Sequence, residues 1–145
     1  MKKLINIALV ISQSLLVFLF AYTSISKLLS FRIFRNALSH SPVIGTYASL
    51  VGYALPALEL FVAVLLLLPS AKRMALYISF VLLMIMTVYL GVLVLLTPHL
   101  PCACGGVISQ LSWKQHIVLN CFFLLLNAFL IIKNQQQSRE YAENL

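Results

Sequence analysis

Apolar residues run almost unbroken through four stretches of this chain, separated by short polar breaks. Read at the length a bilayer crossing requires, about 20 residues, they predict membrane helices near 4–24, 47–68, 74–96 and 113–132, with a polar tail over 133–145. The first begins after Met1-Lys2-Lys3 and is too long for a signal h-region. No small-x-small cleavage site follows it, because Ser24-Ile25-Ser26 is a poor one, so it is expected to stay as a helix. The fourth opens on Ser112-Trp113-Lys114-Gln115, the pattern of a capping box, with Ser112 as the N-cap.

Between the first two stretches the pattern changes. Leu28, Phe31, Phe34 and Leu38 recur at steps of three and four, and Lys27, Arg32, Arg35 and Asn36 fill the other side up to Pro42. That periodicity predicts a short amphipathic helix lying in the membrane interface. The predicted fold is all-α: one polytopic domain over 1–145, a four-transmembrane-helix bundle with an interfacial helix between helices 1 and 2. Trp113 and Tyr47 read as interface anchors.

Composition sharpens the picture. Of 145 residues 62% are hydrophobic and 9% charged, too few polar groups to cover a water-soluble domain of this size. The net charge of +7 is spread in small groups between apolar runs, which suits orientation in a bilayer and argues against a nucleic-acid surface. With four spans both termini share a side, carrying Lys2, Lys3, Lys72, Arg73, Lys133 and Arg139 against Lys27, Arg32, Arg35 and Lys114 opposite. The excess predicts cytoplasmic termini and places the break before the fourth helix in an oxidising, extracytoplasmic compartment.

That break, Pro98-His99-Leu100-Pro101-Cys102-Ala103-Cys104-Gly105-Gly106, concentrates the candidate chemistry. A disulfide between Cys102 and Cys104 closes a very small ring, and such strain makes the bond a readier electron acceptor. His99, when protonated, favours a thiolate nearby. Thiol–disulfide exchange is one reading. A structural staple is another, and a soft-metal site completed by His99 and His116 is a third.

Polar residues inside the spans form the second set of candidates. Glu59 lies ~18 Å in from the outer boundary by helical rise, where a carboxyl group must be neutral, paired or turned inward. Gln13 and Asn127 fall at comparable depth and are expected to join it in one cluster. His116, Asn120 and Asn127 share one face of the fourth helix. Glu59, Gln13, His116 and Asn120 are the residues expected to contact a quinone, with Glu59 also a catalytic proton site beside Cys102, Cys104 and His99. Interhelical packing is the competing role for each. Cys121 reads as a buried, inert thiol.

The arrangement resembles the MauE branch of the DoxX-like membrane proteins. The resemblance rests on Ser24-Ile25-Ser26-Lys27 closing the first helix, Pro56-Ala57-Leu58-Glu59-Leu60 in the second, the Cys-x-Cys loop and a Trp-led fourth helix with Asn120. Gly105 stands where that family's loop usually has Phe, and Leu119 where an Arg is common. The resemblance implies a bacterial inner-membrane protein of methylamine utilisation that assists maturation of a disulfide-rich periplasmic subunit. It also implies an extracytoplasmic thioredoxin-like or disulfide-rich partner and, through DoxX relatives, a quinone. A thiol–disulfide or quinone oxidoreductase, a non-enzymatic subunit of a membrane complex and a soft-metal handling protein remain the alternatives.

Overall fold

The computed structural model describes residues 2–96 and 113–143, and among them the chain forms five α-helices. They are α1 (Lys2–Leu29), α2 (Phe31–Ser39), α3 (Ala48–Leu67), α4 (Lys72–Leu96) and α5 (Trp113–Glu143), with a 3-10 turn at Gly45–Tyr47 before α3. Among the described residues, four segments are long and apolar enough to cross a membrane: Lys3–Leu29, Gly45–Leu67, Lys72–Leu96 and Lys114–Glu140. Large side chains such as Phe18, Leu50 and Leu125 point outward, 67%, 69% and 73% exposed, a surface that only lipid can cover without cost. All-helical, multi-pass membrane architecture is what the hydrophobic pattern predicts.

The long helices touch in a ring. α1 packs chiefly on α3 and α4 on α5, and the pairs are joined by α3 against α4 and α1 against α5. Leu16, Phe20, Val62, Leu66, Leu76 and Leu130 fill the centre, each 3% exposed or less. Lipid tails are as apolar as these side chains, so polar contacts between helices contribute to which faces meet. Ser24 Oγ donates to the Pro56 carbonyl (2.7 Å) and Gln13 Nε2 to the Leu66 carbonyl (2.5 Å), two rungs of an antiparallel α1–α3 seam. On the other pair, Asn127 binds α4. With its carbonyl oxygen toward that helix it accepts from Ser79 Oγ (2.7 Å) and the Phe80 N–H (3.0 Å), and its amide nitrogen donates to the Leu76 carbonyl (3.3 Å).

The interfacial helix differs from the sequence expectation in its start. α1 continues through Lys27 and Leu28 to Leu29, and the amphipathic helix is only Phe31–Ser39. Phe34 and Leu38 are buried as its periodicity predicts, whereas Leu28 is 47% exposed on α1. α2 is stapled to α3 by Phe31 against Tyr53, ring centroids 4.3 Å apart. The chain then returns through Ser41, whose Oγ accepts from the Tyr89 hydroxyl of α4 (3.2 Å). At the far end α5 stays helical to Glu143, so the polar tail is a helical extension beyond the apolar span.

Candidate functional site: a buried ion pair between the first and third helices

Glu59 sits mid-way along α3 and is 4% exposed, so a carboxylate there requires a partner. The partner is Lys27, 2% exposed, whose Nζ bonds Glu59 Oε1. Helix geometry explains how residues of two different helices meet. Long side chains on an α-helix lean toward its N-terminus, and α1 and α3 run antiparallel. Lys27 therefore reaches back along α1 and Glu59 back along α3, and they converge beside the Ser24–Pro56 rung. Pro56 has no N–H to continue the helical ladder, so polar support from the neighbouring helix falls where α3 is weakest. The Lys27 ammonium also lies 5.8 Å from the centroid of the Phe34 ring, which brings α2 over the pair.

Lys27 is thus a correction. Its place in a basic run with Arg32 and Arg35 predicts a solvated surface charge, but the structure draws it into the bundle. The sequence signal was the spacing of two short motifs. Ser24 and Lys27 share one face of α1 at i, i+3, and Pro56 and Glu59 share one face of α3. A lone carboxyl at mid-depth demands a base, and Lys27 is the cation that the adjoining helix can supply.

The pair borders a small cavity of about 40 Å³, whose polar wall is Thr23, Lys27, Glu59, His116 and Asn120. His116 and Asn120 enter from the first turns of α5, 6% and 8% exposed, and with Asn127 they form the inward face expected of that helix. Glu59 Oε2 has no hydrogen-bond partner among the described residues. A polar cavity of this size holds a few water molecules, whereas pockets for larger ligands run to about 300–1,000 Å³. The arrangement is thereby suited to passing a proton between a carboxylate, an ammonium and an imidazole.

Other candidates are placed as follows. Of the expected quinone contacts, Glu59, His116 and Asn120 come together and Gln13 does not. Gln13 pairs with Leu66, seven positions along α3 from Glu59, roughly 10 Å by helical rise. Asn127 is held by α4, so the cluster expected from depth alone resolves into three separate contacts. Residue counting from the span ends set the three level, whereas the helix register puts Gln13 with Leu66, and Asn120 rather than Asn127 reaches the Glu59 cavity. Cys121 corrects another expectation: it is exposed on the outside of α5, one position around from the inward Asn120. Cys102, Cys104 and His99 lie outside the described residues, as does the Ser112 cap. Among the described residues no group of His, Cys, Asp and Glu side chains is arranged to hold a metal ion. The cysteine segment joins α4 to α5, and the cavity lies within the first two turns of α5.

Comparison with curated proteins and with solved structures gave no match. The chain does match, over residues 5–133, the family described as Methylamine utilisation protein MauE. The matched span takes in the Ser24–Lys27 and Pro56–Glu59 motifs, the cysteine segment and the inward face of α5, and the chain belongs to the MauE family.

Proposed function

We propose that this protein exchanges thiols and disulfides at Cys102 and Cys104 on the extracytoplasmic face of a bacterial inner membrane, supporting the maturation of a disulfide-containing protein. The family ties it to methylamine utilisation, and the four apolar helices to a bilayer. What supports the redox reading is the site at the start of α5, the helix that follows the cysteine segment in the chain: a buried Lys27–Glu59 pair, a Glu59 oxygen with no hydrogen-bond partner among the described residues and His116 around one small cavity. Thiol chemistry must dispose of protons, and these groups can accept and return them.

In the direction that forms a disulfide in the partner, a partner thiolate attacks the Cys102–Cys104 bond. A mixed disulfide forms as that bond breaks. The partner's second thiolate then displaces the cysteine it is bound to, leaving the partner oxidised and Cys102 and Cys104 as a dithiol. Two electrons and two protons have moved to this chain. Transfer of both to a membrane quinone, which becomes quinol, restores the disulfide. Burial of Lys27 leaves Arg32, Arg35 and Lys114 as the open charges on that side, which adds to the basic excess beside the termini and supports a cytoplasmic placement for them.

Removing one cysteine tests the proposal. Cys104→Ala or Cys102→Ala leaves a single thiolate that attacks the disulfide of the oxidised partner, the reverse of the step above. With no neighbouring cysteine to complete the exchange, it accumulates a mixed disulfide with an extracytoplasmic protein that non-reducing gels resolve and mass spectrometry identifies. If neither variant traps a partner at normal expression, exchange is excluded and a structural disulfide takes its place.

A further inference from the structure

An open cleft of about 810 Å³ lies between α2, the 3-10 turn and the start of α3, away from the internal cavity. Its polar lining is Arg32, Arg35, Asn36, Ser39, Thr46 and Ser49. The two arginines stand at i, i+3 on one edge of α2, and both are exposed. Arg35 is held in place: its guanidinium lies 6.0 Å from the centroid of the Phe31 ring, and its stem packs over Gly52. Phe31 in turn packs at a tilt of 31° against the Tyr53 ring.

The chain has three acidic residues. Glu59 is buried against Lys27, and Glu140 and Glu143 belong to the distal end of α5. No carboxylate pairs with either guanidinium among the described residues. The cleft is therefore cationic, rich in hydroxyl groups and uncompensated. One wall is apolar, with Ile33 lining it at 68% exposed. The floor is tight: a Cβ on Gly45 would stand 2.8 Å from the Ser39 carbonyl oxygen, so glycine lets the turn close against the end of α2.

We propose that this cleft is a binding site for the phosphate headgroup of an anionic phospholipid, with Arg32 and Arg35 as the phosphate ligands and Ile33 against the first acyl carbons. An interfacial helix sets the arginines at headgroup depth. Guanidinium forks match phosphate oxygens bidentately, which an ammonium cannot do. A zwitterionic headgroup brings its own cation against two arginines with no carboxylate to receive it. The lipid source is favoured over a free phosphate because an exposed apolar wall adjoins the cationic one.

The test uses the full chain in neutral detergent and counts retained lipid by native mass spectrometry. Phosphatidylglycerol is compared with phosphatidylcholine of the same acyl chains and with glycerol phosphate. The wild type should retain phosphatidylglycerol roughly tenfold more tightly than phosphatidylcholine, and glycerol phosphate should not displace it at equal concentration. Arg32→Gln with Arg35→Gln should weaken retention roughly 30-fold. Arg32→Lys with Arg35→Lys keeps the charge and should still lose about fivefold. Both variants are expected to keep the wild-type unfolding midpoint without lipid, since the guanidiniums face outward. Equal retention of the two lipids, or a lysine variant indistinguishable from wild type, overturns a built site and leaves only general surface attraction. Glycerol phosphate binding as tightly as the lipid overturns the lipid source. An acidic polypeptide released by the same substitutions, with no lipid dependence, overturns the assignment altogether.

Discussion

Replacing Lys27 with Met, or Glu59 with Leu, should destabilise the protein by about 3–5 kcal/mol, because each leaves the other charge buried and unpaired. The double replacement should recover most of that loss. Two apolar side chains of similar length remove both desolvation costs together, and such exchanges are neutral or stabilising by about 1–4 kcal/mol in other buried pairs. The measurement is a double-mutant cycle of unfolding midpoints in detergent. A large coupling is expected because Lys27 and Glu59 are 2% and 4% exposed and share one hydrogen bond. Additive single effects would mean that the two side chains do not depend on each other.

A second substitution separates holding the bundle from handling protons. Lys27→Gln with Glu59→Gln keeps a hydrogen-bonded pair of similar size across the α1–α3 seam but removes both titratable groups. The fold should survive, with Ser24 still bonded to Pro56 and Gln13 to Leu66. Reoxidation of the reduced cysteine pair by quinone should slow on the order of 100-fold, the scale lost when a positioned acid or base is removed. His116→Gln should slow the same step if the imidazole takes part, since His116 borders the same cavity. An unchanged rate in the double glutamine variant would confine Lys27 and Glu59 to a packing role.

The architecture was legible because membrane helices announce themselves by length and apolarity. The amphipathic helix was legible for the same reason: Phe34 and Leu38 keep a 3.6-residue period and are buried. The inward face of α5, with His116, Asn120 and Asn127, followed from spacing alone. What spacing could not supply was the identity of neighbours. Lys27 ends an apolar run among arginines, so its local context is that of a surface charge, and only a carboxylate 32 positions away draws it inside. Counting residues from the span ends sets Gln13 and Glu59 at similar depth, yet the register of α1 on α3 puts Gln13 level with Leu66, roughly 10 Å from Glu59, so the two bond different partners. Cys121 is apolar enough to suit either the interior or lipid, so hydropathy gave no direction for it.

The most direct measurement is the redox state of Cys102 and Cys104 in intact membranes, read by acid quenching and thiol alkylation in denaturant followed by a gel shift. Cys121, a free thiol, gives a constant single-label baseline. Redox exchange gives a population that moves between one and three labels, toward one on adding quinone and toward three when a reduced partner is supplied. A pair that stays oxidised under every condition would be a structural staple. That result would contradict the redox function proposed for this member of the MauE family.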